Sequence, residues 1–181
     1  MKQLMIFFFC ISSIPCFAQK VENPNKDSRA SNSINKSIFP EKCLGVWEGV
    51  MHIYNKGHLR DSVKVKFTAA RTTTAGTYIW KTEYISPKKP IIKDYKLIVD
   101  DLKEGRYLLD EGDGIKLVEY VVGNKMRSLF KVDDIYLTST TELLKDRLIF
   151  EVTSGKEIGE VKGIKNYAFT NIQRVILYKA N

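Results

Sequence analysis

Short runs in which apolar and polar residues alternate fill the chain from Cys43 onward. In the segment SVKVKFTA, which begins at Ser62, valine or phenylalanine occupies every second position and lysine lies between them. Because successive side chains of a strand point to opposite faces, this pattern predicts a strand with one face in a core and the other in water.

Ten such runs, separated by turn-forming Gly, Asn, Asp and Pro, predict ten sequential strands and no long helix. The predicted strands lie near residues 44–54, 61–70, 75–85, 91–100, 105–110, 114–122, 125–132, 135–144, 147–154 and 167–179. Residues 155–167 contain three glycines and predict a loop able to lie over one end of the sheet.

This order of elements predicts one all-β domain, residues 43–181, built as a single up-and-down antiparallel β-barrel of about 8–10 strands. A meander of this length has two edges, and closure removes both. A two-sheet sandwich is an alternative, but it usually needs longer crossing connections. A membrane-spanning barrel is a further alternative, which the charges flanking short apolar cores disfavour because a span needs about 9–11 residues.

The N-terminal residues follow a different pattern. A lysine precedes an apolar run over residues 4–17, and the small residue Ala18 ends it. This order is typical of a secretory signal peptide, so residues 1–18 are predicted to be cleaved and the protein to be exported to the periplasm or the extracellular space. No transmembrane span is predicted after cleavage. Residues 19–42, rich in Asn, Ser and Lys without an apolar period, predict a flexible polar linker.

Net charge and cysteine content limit the classes of partner and the disulfides that the sequence predicts. The formal net charge is +8, but the lysines are spread along the chain. A solvated loop and strand edge explains the densest basic cluster, residues 87–96, better than a phosphate-binding groove. Export also separates the protein from most nucleic acids, so no nucleic-acid partner is predicted. Cleavage leaves only Cys43, which excludes an internal disulfide and favours a buried apolar role.

The segment GVWEG places Trp47 between Gly45 and Gly49 on one strand face. Glu48 and His52 on the other face favour water, so Trp47 is predicted to point inward. The first three residues of the segment match the G-x-W motif that begins the first lipocalin strand. Here the chain resembles the calycin superfamily, meaning the lipocalins and their barrel relatives.

The resemblance implies a ligand-binding barrel in which a basic residue late in the chain packs across the tryptophan ring. Arg174, in the final predicted strand, has the matching place in chain order. A guanidinium over the indole face contributes about 0.5–2 kcal/mol. The chain departs from the lipocalin pattern because it ends in a strand rather than a helix.

The sequence has no nucleophile-elbow, zinc-protease or phosphate-loop motif, and its two S-x-x-K matches, at residues 33–36 and 86–89, lie in the predicted linker and in a proline-flanked turn rather than at a helix start. No catalytic residue, metal site or cofactor is therefore predicted, and a binding protein is favoured over an enzyme. Carboxylate pairs such as Glu119 with Glu142 or Glu151 can meet inside a barrel, but spacing alone does not show that they do.

Aromatic residues remain as candidates for a site. Tyr78, Trp80 and Tyr84 share one face of the segment TYIWKTEYI, and rings with polar tips suit a small-molecule cavity. We predict an exported protein that binds a small, partly apolar ligand, with Trp47, Tyr78 and Trp80 as walls. Arg174 is predicted as an anion contact or a structural clasp. The alternatives are an ordinary filled core and an envelope protein–protein interaction module with no ligand cavity.

Overall fold

The computed structural model describes residues 38–87 and 89–180. The predicted signal peptide, residues 1–18, and most of the predicted linker lie outside this range. The elements are a helix, α1 (Phe39–Lys42), and the strands β1 (Gly45–Asn55), β2 (His58–Arg71), β3 (Thr77–Ile85), β4 (Ile91–Asp101), β5 (Arg106–Gly112), β6 (Ile115–Val122), β7 (Lys125–Val132), β8 (Ile135–Leu143), β9 (Arg147–Val161) and β10 (Ile164–Lys179). Within the described residues, no helix is long and apolar enough to cross a membrane.

The sheet closes on itself. Each strand pairs antiparallel with its neighbours in the chain, and β1 also pairs with β10. On this closing seam Trp47 lies opposite Lys179, and Asn55 lies opposite Asn171. The prediction of a single closed up-and-down antiparallel barrel is confirmed, and the two-sheet alternative is excluded.

Alternation along each strand decides which side chains line the interior. In β2, Val65 and Phe67 are buried, whereas Lys64, which precedes Val65, is exposed. Trp47 lies opposite Phe67 across the β1–β2 ladder, so the two aromatic side chains share the inner face. The barrel therefore has an apolar inner face and a charged outer face on this side, as the period of two predicts.

The shortest ladder of the barrel joins β6 to β7. Its three pairs end at Tyr120 opposite Arg127, although each strand has eight residues. Glu119 and Ser128 are the next residues on the two strands, so they lie where the pairing stops. Closure of the barrel is therefore weakest beside these two side chains.

The β9–β10 hairpin corrects the prediction of a loop at residues 155–167. β9 continues to Val161 and β10 begins at Ile164, so the two strands pair through this range. Gly155 permits the close approach of the strands, because a Cβ there would lie 2.0 Å from the carbonyl oxygen of Ala168. The loop prediction was wrong because glycines interrupt the alternation from which strands are read, whereas pairing with a neighbouring strand maintains the extended backbone.

The helix α1 covers one end of the barrel. It lies within residues 19–42, so part of the range predicted as a linker is helical. Phe39 is 3 % exposed, and its ring centroid lies 6.3 Å from that of Trp80. Trp47 Nε1 donates a hydrogen bond to the carbonyl oxygen of Cys43 at 2.8 Å. A single helical turn with one large apolar residue is too short to give a sequence period, so the sequence pattern does not predict this helix.

Glu41 ties α1 to the barrel wall. Its Oε1 accepts hydrogen bonds from the Tyr78 hydroxyl at 2.8 Å and from Arg71 Nε at 3.1 Å. The bond from Arg71 lowers the pKa of Glu41 even though burial opposes this. Cys43 is fully buried, and burial raises its pKa to about 12, so the thiol stays protonated. This end of the barrel is a packed floor.

Candidate functional site

The inward-facing side chains differ between the two ends of the barrel. Near α1, Tyr78 is 1 % exposed and Leu97 is fully buried. Farther along the same two strands, Tyr84 and Lys93 retain accessible surface. Strand alternation points both side chains inward, so inward-facing side chains are completely buried at the α1 end and keep some accessible surface away from it.

The predicted ligand walls Trp47, Tyr78 and Trp80 all point inward. They belong to the buried cluster of the floor and are 4 %, 1 % and 5 % exposed, respectively. Trp80 packs edge-on against Phe67, with ring centroids 4.9 Å apart. The structure therefore brings the three side chains together as the floor of the barrel. Their contact with a ligand stays a prediction.

Arg174 lies on the outer face, which corrects its expected contact with Trp47. The next residue, Val175, is buried inside, so Arg174 points outward, and its Nη1 lies 3.3 Å from a carboxylate oxygen of Glu151. Lys179 takes the expected place, because its Nζ lies 5.5 Å from the centroid of the Trp47 ring. Chain order alone selected the wrong basic residue. Strand parity selects Lys179, which shares the inner face with Val175.

Glu119 is an ionisable side chain buried inside the barrel. It is 1 % exposed, it lies opposite Tyr107 on β5, and its Oε1 has no hydrogen-bond partner. Burial raises the pKa of Glu119 to about 7; the nearby Ser128 hydroxyl opposes the rise, and the Glu111 carboxyl adds to it. Ser128 Oγ does not complete a hydrogen bond and also has no partner. Near neutral pH the Glu119 carboxyl can therefore either accept or donate a hydrogen bond.

The pairing of Glu119 with Glu142 or Glu151, which the sequence left open, does not occur inside the barrel. Glu142 lies 2.9 Å from Lys125, and Glu151 forms the outer ion pair described above. The second interior carboxyl is Glu111, which shares a strand face with two buried residues of β5. Within the described residues, no three metal-ligating side chains cluster closely enough to hold an ion.

A further group of polar side chains lies on β3, β4 and β5. Lys93 Nζ is 5.7 Å from the centroid of the Tyr95 ring. Burial raises the pKa of Glu111, while the Lys93 ammonium and a hydrogen bond with Tyr95 oppose the rise. Burial, together with the charge of Glu111, raises the pKa of Tyr84 to about 12. The basic cluster at residues 87–96 was expected to be solvated, but the alternation of β4 turns Lys93 into the barrel.

A row of inward-facing side chains crosses the wall from β7 to β10. Ser128 lies opposite Ser139, Ser139 lies opposite Val152, and Val152 lies opposite Gln173. All four residues are half-buried. Seven of the interior side chains that carry polar groups are together named here the polar interior: Lys93, Tyr95, Glu111, Glu119, Ser128, Ser139 and Gln173. Apolar surface with a few inward polar groups is typical of small-molecule cavities.

Comparison with known proteins supports the fold. No family model matches the sequence, and no curated protein matches it. Among solved structures, this chain is similar to the S-type phycobiliprotein lyase CPES from Guillardia theta, with a TM-score of 0.58 and 9 % sequence identity. The similarity covers 79 % of this chain and 91 % of that chain. At this identity the likeness shows the fold alone, so a lipocalin-like barrel is supported and membership of the calycin superfamily stays a prediction.

Proposed function

We propose that this protein is an exported binding protein that takes a small, partly apolar ligand into its barrel. The observation that carries the proposal is the contrast inside the barrel, where side chains beyond the packed floor keep accessible surface beside polar atoms that have no partner. A filled core pairs its polar atoms, because leaving one buried and unpaired costs about 1–3 kcal/mol. Inward-facing side chains that keep accessible surface, together with unpaired polar groups, suit a ligand.

The lining also suits a ligand with an apolar body. Tyr84, Tyr95 and Phe150 bring aromatic surface to the interior, and Ser139 and Gln173 bring hydrogen-bonding groups. A cavity of this kind holds a ligand by apolar contact and orients it by a few polar groups. The similar barrel of a phycobiliprotein lyase supports the proposal at the level of the fold.

Export belongs to the same proposal. It rests on the order of the lysine, the apolar run and Ala18 in residues 1–18. Expression of the full chain in a Gram-negative host, followed by fractionation and N-terminal sequencing, tests it. We expect a mature chain in the periplasmic fraction that begins after Ala18. An uncleaved chain in the cytoplasm would contradict export and leave ligand binding open.

Quenching of tryptophan emission by a panel of lipids, haem and other pigments tests ligand binding. Both tryptophans lie in the floor, so a ligand in the barrel changes their emission. The variant Ser139→Phe places a large ring inside and should abolish binding, whereas Thr140→Phe, its outward-facing neighbour, should leave binding unchanged. Thermal melts confirm that both variants fold. Silence of the wild type across the panel, or equal binding by both variants, would contradict a ligand inside the barrel.

The exposed tip of the β9–β10 hairpin favours a second function, that of an envelope protein–protein interaction module. Ile158, Val161 and Ile164 are 69 %, 63 % and 67 % exposed. Exposed apolar clusters are typical of binding surfaces. Affinity capture from a periplasmic fraction separates the two functions. A partner lost on Ile158→Glu with Ile164→Glu, yet retained by Ser139→Phe, would favour the module.

A further inference from the structure

Two buried polar atoms in the polar interior lie at the end of the β6–β7 ladder. Glu119 Oε1 and Ser128 Oγ both lack a hydrogen bond. Both side chains lie just beyond the last pair of the β6–β7 ladder. Buried polar groups in folded proteins are nearly always paired. The Ser128 hydroxyl is near enough to lower the pKa of Glu119 as a donor, but one hydroxyl cannot fill the acceptor sites of a carboxylate, so a further donor is missing.

The missing partner is a hydrogen-bond donor. Oε1 of an ionised carboxylate is an acceptor only, and a serine hydroxyl can accept as well as donate. Ser128 and Ser139 are half-buried and point inward, so the buried carboxyl lies next to inward-facing side chains that are not completely buried. A donor entering from this interior therefore meets Glu119 and Ser128 together.

The charges that face Glu119 favour a cation over a neutral donor. β5 contributes Tyr107 and Glu111, and β4 contributes Lys93. The Lys93 ammonium lowers the pKa of Glu111, whereas no cation contributes to that of Glu119. Two carboxyls, Glu111 and Glu119, therefore share this part of the described barrel with one ammonium, that of Lys93, while the Lys179 ammonium lies at the floor beside Trp47. Carboxyl groups outnumber ammonium groups near Glu119 in a protein whose formal net charge is +8.

We infer that Glu119 binds the ammonium group of a protonated organic amine whose apolar body lies against the aromatic side chains of the barrel. This inference rests on the proposed ligand-binding function and narrows its ligand to one chemical class. The ammonium donates to Glu119 Oε1 and to Ser128 Oγ. The ring of Tyr107, opposite Glu119 in the β5–β6 ladder, offers a face that attracts cations.

The assignment predicts how affinity changes with pH. The carboxylate form of Glu119 attracts an ammonium ion, and this form is lost as pH falls through the pKa of about 7. An alkylamine stays protonated throughout this range. We expect the affinity for an amine to fall about tenfold between about pH 8 and about pH 6, because the ionised fraction of the carboxyl falls by that factor.

Three probes that share one apolar body test the assignment: 2-phenylethylamine, 2-phenylethanol and 3-phenylpropionate. Their binding is measured by calorimetry and by tryptophan emission at about pH 8 and about pH 6. We expect the amine to bind at least about tenfold more tightly than the alcohol and the acid at the higher pH, since every 1.4 kcal/mol is a factor of ten. The alcohol should show no pH dependence.

Variants test whether the preference for the amine and its pH dependence arise from Glu119. Glu119→Gln should remove both the preference for the amine and its pH dependence. Glu142→Gln, on the outer face, should change neither. Glu111→Gln should keep the preference and move the midpoint of the pH profile to lower pH, because Glu111 raises the pKa of Glu119. If Glu119→Gln fails to fold, the wild-type protein still tests the assignment, through the ratio of its affinities for the amine and the alcohol and through the pH dependence of amine binding.

The outcomes separate this inference from the proposed function. Equal binding of amine and alcohol, or an unchanged preference in Glu119→Gln, overturns the amine while a ligand-binding barrel stands. Binding of lipid or pigment without any binding of 2-phenylethylamine also overturns the amine and leaves the ligand-binding barrel standing. Absence of binding by every probe and by the whole panel overturns both.

Discussion

The floor of the barrel and its polar interior belong to one closed sheet, but their polar groups are satisfied to different degrees. In the floor, Trp47 Nε1 bonds to the Cys43 carbonyl and the Tyr78 hydroxyl bonds to Glu41. In the polar interior, Glu119 Oε1 and Ser128 Oγ have no partner. The floor is organised for stability, whereas the polar interior retains a cost that a ligand can relieve. The predictions below test this division.

Removal of the central indole should disrupt the floor most strongly. Trp47→Ala leaves a cavity among buried side chains, so we expect a loss of about 3–5 kcal/mol in the free energy of unfolding. Chemical denaturation and thermal melts measure it. Tyr178→Ala removes a ring that is 50 % exposed on the outer face and should cost less than about 1 kcal/mol. Equal losses in the two variants would contradict a packed floor.

The buried carboxyl of the polar interior should make the free energy of unfolding depend on pH. The pKa of Glu119 rises from 4.5 to about 7 on folding, so folding favours the protonated form. Stability from this group is present below the unfolded pKa and is lost as pH rises through about 7, a change on the order of 3 kcal/mol. Urea unfolding at several pH values should show this decline in the wild type. In Glu119→Gln the corresponding part of the decline should be absent, and an unchanged profile would contradict the burial of the carboxyl.

The contact between α1 and the wall should contribute less. Glu41→Ala removes the acceptor of the buried Tyr78 hydroxyl, and an unpaired hydroxyl costs about 1–3 kcal/mol. Urea unfolding measures the loss. In a Tyr78→Phe background, which has no hydroxyl to leave unpaired, the same change at Glu41 should cost less. Additive losses in the double variant would show that the two side chains act independently.

The smallest effect separates the two basic residues of β10. Lys179→Gln removes the ammonium over the Trp47 ring and should cost about 0.5–1 kcal/mol. In a Trp80→Phe background, where Trp47 is the remaining tryptophan, it should also shift the emission maximum. Arg174→Gln breaks only a surface ion pair and should leave the emission unchanged. A shift with Arg174→Gln instead would support the contact expected from chain order.

The barrel itself could be predicted from the sequence, because the period of two in segments such as SVKVKFTA survives in most strands. Two elements escaped prediction for local reasons. The helix α1 has a single turn, with Phe39 as its large apolar residue, and the β9–β10 hairpin has glycines where the alternation should show. Gly155 suits a close approach of two strands, which is a property of pairing rather than of local sequence.

The polar interior was harder to predict because it depends on register across strands. Trp47, Tyr78 and Trp80 were correctly placed inside by the alternation within their own strands. The same rule applied to β4 and β10 would have turned Lys93 and Lys179 inward. That Glu119 would lie beside Ser128 depends on the β6–β7 pairing, which no spacing along the chain reveals.

A closed barrel has no free strand edge with which another chain can pair. It opens most easily at its shortest ladder. Between β6 and β7 that ladder has three pairs, so amides of residues 115–119 and 128–132 that point across the gap should exchange with deuterium before those of the closing seam. Local separation there would create two edges at once. Self-association of a destabilised barrel should therefore begin at this gap.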